Sequence, residues 1–475
     1  MLDLVLGGVL LALAVVSAVH ALLYKRDPRA ALIWIVICFA LPAVGAGIYW
    51  LLGVNRIRTR ARTWQEGGKG IPKLDPDTHR LGIELASPSI QAENFAGQLN
   101  LVDNVTRRPL VPGNALQPLH NGEGAFPAML KAIEEASSSI CLSTYIFESN
   151  GTGRKFAEAL VDAAKRGVEV RILIDALGDR YTFPSIRRFF KKTPVRIERF
   201  LPPSLTGRGI FFNLRNHRKI MVVDGRQGFV GGMNIGDRHL AEDRENKRRV
   251  IGLHFALTGP AVSQLEDAFN EDWTFATGEE VADKPKVDPE IPGNALCRGI
   301  SAGPNEDFEK LYWILIGALN CARRNIRIMT PYFIPDRALI SAINAAALRG
   351  VDVEIVLPGK NNLPYVGWAM NAYLWEMLQY KTRIYYLPPP FVHSKLFVVD
   401  DYYVLVGSAN LDPRSMRLNF EFNVEAYDHS LAVYLADHFD RMKESALSVS
   451  LEDVDSRPLP IKMRDATAKL FSPYL

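Results

Sequence analysis

Two uninterrupted apolar stretches open the chain. Leu4 to Tyr24 is apolar apart from Ser17 and His20, and Ala30 to Leu52 contains no charged side chain. Each run is about 20 residues, enough to cross a hydrocarbon core of about 30 Å as helix. The first lacks the basic flank of a cleaved signal peptide and the second follows at once, so two retained helices are expected. The link Lys25-Arg26-Asp27-Pro28-Arg29 is too short for a domain, which makes residues 1–56 a transmembrane helical hairpin. Pro42, Gly45 and Gly47 are placed to kink the second helix or to let it pack closely. Arg56, Arg58, Arg60 and Arg62 follow the hairpin, against Lys25, Arg26 and Arg29 within it. By the positive-inside rule the remainder of the chain is expected in the cytoplasm.

The pattern then changes. Residues 57–110 are mixed, with polar, Gly and Pro punctuation, and read as a juxtamembrane connector. Beyond them β-branched runs alternate with helical spacing, twice. Ile140 to Phe147 predicts a strand, then Phe156, Leu160 and Ala163 mark one face of a helix, and Val168 to Ile174 a second strand. Ile326 to Phe333, then Leu339, Ile343 and Ala346, then Val351 to Leu357 repeat the same order. Gly167 and Gly350 sit where a helix C-cap is wanted. Val281 to Asn294, rich in Pro and charge, reads as a linker. The expected fold is α/β: two similar halves, 111–285 and 286–475, each with a mixed sheet flanked by helices, behind the membrane hairpin.

Composition changes this picture little. A chain of 475 residues requires two or three domains. Its 56 basic and 52 acidic residues give a formal charge of +4, which permits an anionic partner without requiring one. Cys38, Cys141, Cys297 and Cys321 are scattered and predict reduced thiols. No Cys-x-x-Cys or His-Glu-x-x-His element suggests a metal.

The chemistry lies in the repeat. Asn216-His217-Arg218-Lys219-Ile220-Met221-Val222-Val223-Asp224 is echoed by Val392-His393-Ser394-Lys395-Leu396-Phe397-Val398-Val399-Asp400. A small-residue turn follows each at the same distance, Gly231-Gly232-Met233-Asn234 and Gly407-Ser408-Ala409-Asn410, and all matching positions are offset by 176 residues. One His-x-Lys arises by chance; two in register do not. Read as strands, each motif projects its imidazole and ammonium group from one face. Asp224 and Asp400, seven positions after their histidines, fall on the other face, where they would anchor a strand end or join a charge network. Gly232 and Ser408 allow backbone to approach a phosphate oxygen, and Asn234 and Asn410 can donate to it. Glu245 and Glu421 each lie 28 residues after their motif histidine. Such a carboxylate either is solvated or bonds the far ring nitrogen, fixing the tautomer and raising basicity.

Two histidines suit phosphodiester chemistry. One, neutral, attacks phosphorus and forms a covalent phospho-enzyme. The other, protonated, delivers a proton to the leaving alkoxide and recovers it from the incoming hydroxyl. The lysines and asparagines would stabilise the equatorial oxygens, a task otherwise given to a metal.

These residues resemble the phospholipase D superfamily, defined by paired His-x-Lys-x4-Asp motifs, and the whole chain is similar to the bacterial cardiolipin synthases within it. The likeness covers the hairpin and its Lys-Arg-Asp-Pro-Arg link, the Leu52-Gly53-Val54-Asn55-Arg56 exit, both motifs, and Leu418-Asn419-Phe420-Glu421. It implies a multi-pass protein of the bacterial inner membrane that joins two phosphatidylglycerol molecules and releases glycerol. Phospholipid and bilayer are then the partners, with no nucleic acid and no cofactor, and a homo-oligomer is compatible with this. The resemblance assigns His217 as nucleophile and His393 as acid/base, with Lys219, Lys395, Asp224 and Asp400 in the catalytic set, and gives Glu245 and Glu421 the histidine-orienting role. One segment departs. Relatives often carry Trp-Arg-Asp shortly before Gly-Pro-Ala-Val. Here Gly259-Pro260-Ala261-Val262 is present with His254 upstream, but Val250-Ile251-Gly252 replaces the polar triplet. That departure bears on the second-substrate pocket.

Several stretches mix basic and aromatic groups as a lipid-facing surface would: Ile186 to Lys192, and Phe211, Phe212, Leu214 and Arg215. An amphipathic helix packing on its own sheet explains the first equally well. Leu459 to Leu475 is a further interfacial candidate, whereas aromatic-rich Tyr365 to Met377 reads as core. Two rivals stand beside lipid transfer. The same covalent intermediate cleaved by water gives a phospholipase D or nuclease, although a nuclease needs no membrane helices and shows a broader basic stripe. A non-catalytic lipid-binding scaffold would have no need of both acid/base groups.

Overall fold

The computed structural model describes residues 2–25, 28–53, 94–106, 108–202, 214–279, 281, 291–304 and 309–472. These form two compact units, one within residues 2–53 and one from residue 94 onward. Arg56 to Arg62, Phe211, Phe212, most of the connector and most of the Pro-rich linker lie outside the described residues.

In the first unit, α1 (Leu2–Tyr24) is the one described helix long and apolar enough to cross a membrane, over Val5–Tyr24. The second apolar run is divided into α2 (Pro28–Ala40), α3 (Pro42–Ile48) and a π-helical turn, Tyr49–Gly53. Pro42 supplies no N–H to the preceding turn and drives Leu41 out of the helical region, to φ −132° and ψ 72°. The expected kink is therefore a break. Gly45 makes the close approach possible, because a Cβ there would strike the Ile37 carbonyl. Across the hairpin Trp50 Nε1 donates to Ser17 Oγ at 2.9 Å and Lys25 Nζ to the Gly53 carbonyl at 2.6 Å.

The second unit contains two versions of one sheet. The first comprises β1 (Val111–His120), β2 (Ser139–Thr144), β3 (Glu169–Asp175), β4 (Arg196–Phe200), β5 (Arg215–Asn216), β6 (Ile220–Val223), β7 (Gln227–Gly231), β8 (Val250–Ile251) and β9 (Leu253–Thr258). The second comprises β10 (Ala295–Ala302), β11 (Asn325–Met329), β12 (Asp352–Pro358), β13 (Arg383–Leu387), β14 (Phe391–Val392), β15 (Leu396–Val399), β16 (Tyr403–Gly407), β17 (Asn419–Tyr427) and β18 (Leu447–Val449). Strand order in the first half is β1-β9-β7-β6-β2-β3-β4. In the second it is β10-β17-β16-β15-β11-β12-β13-β18, and antiparallel β1–β10 pairing joins the two into one sheet. The β2-β3-β4 and β11-β12-β13 ladders and the short β5–β17 pair are parallel and the other pairs of the sheet antiparallel, so the sheet is mixed as expected.

Helices cover it. Phe156, Leu160 and Ala163 of Gly151–Lys165 are fully buried, as are Leu339, Ile343 and Ala346 of Arg337–Leu348. Asn150 caps the first helix through Gly153 N and Asp336 the second through Leu339 N. Both end at a left-handed glycine, Gly167 at φ 96° and Gly350 at φ 92°. The expected strands Ile140 to Phe147 and Ile326 to Phe333 stop early, at Thr144 and Met329. After each a lone bridge remains, Phe147 to Ile235 and Phe333 to Leu411, and this exit lets the chain turn towards the motif. All four cysteines are free thiols.

Each half also lends a short strand to the other. β5 pairs with β17, and β14 pairs with β8. These exchanges position the site.

Candidate active site

His217 and Lys219 do not lie on a strand, nor do His393 and Lys395. They occupy the extended segments between β5 and β6 and between β14 and β15. The shared face survives, but its cause is the crossing strands. His217 N donates to the Phe420 carbonyl at 2.9 Å, and His393 N to the Ile251 carbonyl at 2.7 Å. Each histidine is thus fastened to the opposite half. Lys219 Nζ donates to the His217 carbonyl at 2.7 Å, and Lys395 Nζ lies 3.0 Å from the His393 carbonyl and 3.0 Å from its Nε2. Arg218 points away, into an ion pair with Asp272 at 2.9 Å and onto the Glu421 carbonyl at 3.2 Å.

The glutamates differ. Glu421 is fully buried and pairs with His217 Nδ1 at 3.0 Å, across the halves rather than with its own motif histidine. Its carboxylate also accepts from Ser408 Oγ at 2.5 Å, Ser415 Oγ at 2.9 Å and Asn419 Nδ2 at 3.1 Å. Glu245 is exposed, and its described hydrogen bond is from its backbone N–H to Asp243. The equal spacing misleads because of register. Thr258 pairs with Gln227 and Tyr427 with Tyr403, so the returning strands β9 and β17 match at an offset of 169. The first half carries seven extra residues between turn and strand, and the counterpart of Glu421 is Gly252.

Asp224 and Asp400 take up strand ends, beyond β6 and β15 from their histidines. Asp224 accepts from the N–H groups of Ser137, Ser138 and Ser139, and Asp400 from those of Arg323, Arg324 and Asn325. Both adopt left-handed backbone, φ 53° and 54°, in tight hairpin turns that short acidic side chains tolerate. Both tie strand ends together, and neither has an imidazole among its described hydrogen-bond partners. Asn234 Oδ1 accepts from Ile146 N at 3.1 Å, which ties the turn to β2's exit, while the Asn410 Oδ1 is buried and unbonded. Gly232 lies against the other half: a Cβ there would meet the His393 carbonyl and Lys395 Cδ, each at 3.1 Å. Ser408 holds Glu421, so its hydroxyl is committed.

Burial governs the electrostatics. Desolvation pulls His217 down to about 4 against the raising pull of Glu421, and takes Lys219 down to about 7. His393 and Lys395 are also pushed well below their ordinary values by burial, with Lys395 and Lys219 adding repulsion. Burial opposes ionisation of Glu421, yet His217, Lys219 and Ser408 hold it below the usual carboxylate value. The positive charges of each half reach the histidine of the other: Lys395 depresses His217, and Lys219 depresses His393. With two lysines and two imidazoles gathered around Glu421, a bound anion would be stabilised here.

Spacing alone gave no sign of several neighbours. Asp175 accepts the Asn216 N–H at 2.9 Å just before His217. The Tyr145 ring stands 5.3 Å from the His217 ring and 5.5 Å from Lys219 Nζ. Buried His239 accepts the Asn234 N–H at 3.2 Å. The 176 offset from His239 to Ser415 was the available clue. Of the suspected lipid-facing stretch Ile186 to Lys192, Ile186 and Phe190 are core residues of the first half. Tyr365 to Met377, expected as core, gives Val366, Ala369, Met370 and Met377 to the core of the second. On the helix Leu459–Leu470 and just after it, Leu459, Met463, Leu470 and Phe471 are exposed.

The model of the family described as "Cardiolipin synthase, PLD-like domain" matches residues 129–273 and 315–443, and a "Phospholipase_D-nuclease N-terminal" model matches 12–53. The chain is 32% identical to the major cardiolipin synthase ClsA of Bacillus subtilis, over 95% of each chain. It is 31% identical to cardiolipin synthase A of Pseudomonas putida, over 98% of this chain and 97% of that one. The crystal structure of phosphatidylserine synthase from Haemophilus influenzae shares the fold with a TM-score of 0.64 at 16% identity, covering 80% of this chain and all of that one. With a family match over more than half its length, this chain belongs to the cardiolipin synthase family of phospholipase D-like enzymes.

Proposed function

We propose that the protein makes cardiolipin from two phosphatidylglycerol molecules, releasing glycerol, through a phosphatidyl-histidine intermediate on His217. The supporting observation is the unequal treatment of the two imidazoles. Glu421 accepts the Nδ1 proton of His217, which leaves Nε2 with its lone pair free to attack. His393 has no carboxylate among its described hydrogen-bond partners and takes the acid/base role.

In the first step His217 Nε2 bonds phosphorus of the donor lipid, the phosphorus–oxygen bond to glycerol breaks, and His393 gives its proton to the departing oxygen. In the second, the terminal hydroxyl of the acceptor returns a proton to His393 as its oxygen attacks phosphorus and the phosphorus–nitrogen bond breaks. Lys219 and Lys395 neutralise charge on the non-bridging oxygens. The family and the apolar helix α1 point to membrane association. A two-pass anchor with the catalytic unit in the cytoplasm is part of the same proposal.

Detergent-purified protein incubated with phosphatidylglycerol should release glycerol and form a four-chain, doubly phosphorylated lipid, read by mass spectrometry. Phosphatidic acid alone would show that water outcompetes the acceptor, and the enzyme would be a hydrolase. Unchanged turnover in His217→Ala would defeat any catalytic reading of this site.

A further inference from the structure

The two halves support their motif turns in parallel until one point, where they diverge. In the second half the Asn410 N–H donates to Ser415 Oγ at 3.0 Å, Ser415 Oγ donates to Glu421, and Glu421 holds His217. In the first half the Asn234 N–H donates to His239 Nε2 at 3.2 Å, with His239 in the place of Ser415. There the relay stops. Gly252 stands for Glu421, Gly232 for Ser408 and Val250 for Asn419, so the carboxylate and two of its three donors are missing together.

One donor remains. Because His239 Nε2 accepts from backbone, the proton of the neutral ring sits on Nδ1. That Nδ1–H is buried without a hydrogen-bond partner, on a side chain 1% exposed. A buried donor of this kind calls for an acceptor. The neighbourhood is cationic. Arg238, His254, Lys395 and Lys219 each depress His239 further after burial, and His239 in turn depresses His393. The side chain over Gly252 is that of Met233, itself buried: a Cβ at Gly252 would meet Met233 Cγ at 3.0 Å and Sδ at 3.5 Å, so an incoming group must displace this unbranched chain. In the second half the matching residue is the small Ala409.

We propose that the place above Gly252, between His239 Nδ1–H and the His393 imidazole, is an oxyanion subsite filled from outside the chain. The incoming anionic oxygen accepts from His239 and from the His393 ring, as the Glu421 carboxylate does from Ser415 and His217. In turnover the source is the phosphate of the acceptor lipid, which completes the surroundings of His393 for the second step, when it takes the proton of the acceptor hydroxyl. The subsite rests on the acid/base role proposed for His393, and it adds a reason to prefer phosphatidylglycerol over a neutral alcohol as acceptor.

The experiment first measures glycerol release from phosphatidylglycerol by the wild-type protein in detergent, then transfer to phosphatidylglycerol and to ethanol, each with and without formate. Formate, a small carboxylate, is expected to raise transfer to ethanol on the order of tenfold by standing in for the absent side chain. It should leave transfer to phosphatidylglycerol unchanged or compete with it. His239→Ala should abolish the formate effect and lower transfer to phosphatidylglycerol, and His239→Asn, which keeps one acceptor and one donor, should restore both. Met233→Ala/Gly252→Glu should transfer to ethanol without formate. Formate stimulation of both acceptors would keep the subsite but assign it to a free anion. Formate and His239 variants without effect on either acceptor would overturn the subsite. An altered melting temperature with Ala and Asn equally impaired would reduce His239 to a packing role and overturn it too. No glycerol release from wild type would instead defeat the proposed transfer reaction.

Discussion

Glu421 occupies a position where burial alone would keep a carboxylic acid neutral, yet it stays ionised because two hydroxyls, an amide and His217 all donate to it. Its charge in turn raises His217, against the stronger pull of burial that leaves the imidazole at about 4. The sign of a test follows. In Glu421→Gln the raising charge is gone, so His217 stays neutral to still lower pH and the acid limb of kcat/KM moves down. The rate at the optimum should fall about 100-fold, because Nδ1 loses its anionic acceptor. An acid limb that moves up contradicts this assignment. The motif aspartates predict the opposite outcome. Asp224→Ala strands three backbone N–H groups, two of them exposed, and should cost about 1–3 kcal/mol of stability in a denaturant titration. The folded protein should still turn over near the wild-type rate, and a loss of activity without loss of stability would restore Asp224 to the chemistry.

At the scale of elements the site depends on exchange. β5 and β14 are two residues each, and their pairing with the opposite half sets where each imidazole stands. The repeat itself was legible, since strand, helix and strand recur with matching glycine caps and both motifs fall at one offset. The partner of His217 was not. Glu421 reaches it over 204 positions, a contact that only the paired sheets bring about. Counting also failed for Glu245, because seven residues inserted before β9 shift the register, and a one-dimensional offset cannot report which strand residues face each other. The Val250-Ile251-Gly252 departure was visible in sequence, but only the β8–β14 pairing shows that it lies beside His393. The turn at Gly232 tests the exchange. Gly232→Ala should push the His393 segment by a few tenths of an ångström, since its Cβ would meet backbone at 3.1 Å. A misplacement of that size should lower kcat roughly tenfold with the melting temperature nearly kept. Full activity in this variant would show that the two motifs tolerate independent movement.

For the whole catalytic unit, the arrangement makes one site from one chain. His217 is held by Glu421 and by the Phe420 carbonyl, and His393 by the Ile251 carbonyl, all within the same polypeptide. The continuous sheet through β1 and β10 keeps the two halves in that relation without a second copy. An enzyme whose halves came from different protomers would behave otherwise under complementation. Co-expressed His217→Ala and His393→Ala chains would then form some mixed sites with both imidazoles intact, and part of the activity would return whatever the oligomeric state. Here each chain would still carry one defective site, so the mixture should stay as inactive as either variant alone, measured as glycerol release from phosphatidylglycerol. Recovery of activity in the mixed sample would mean that the crossing strands exchange between chains in solution.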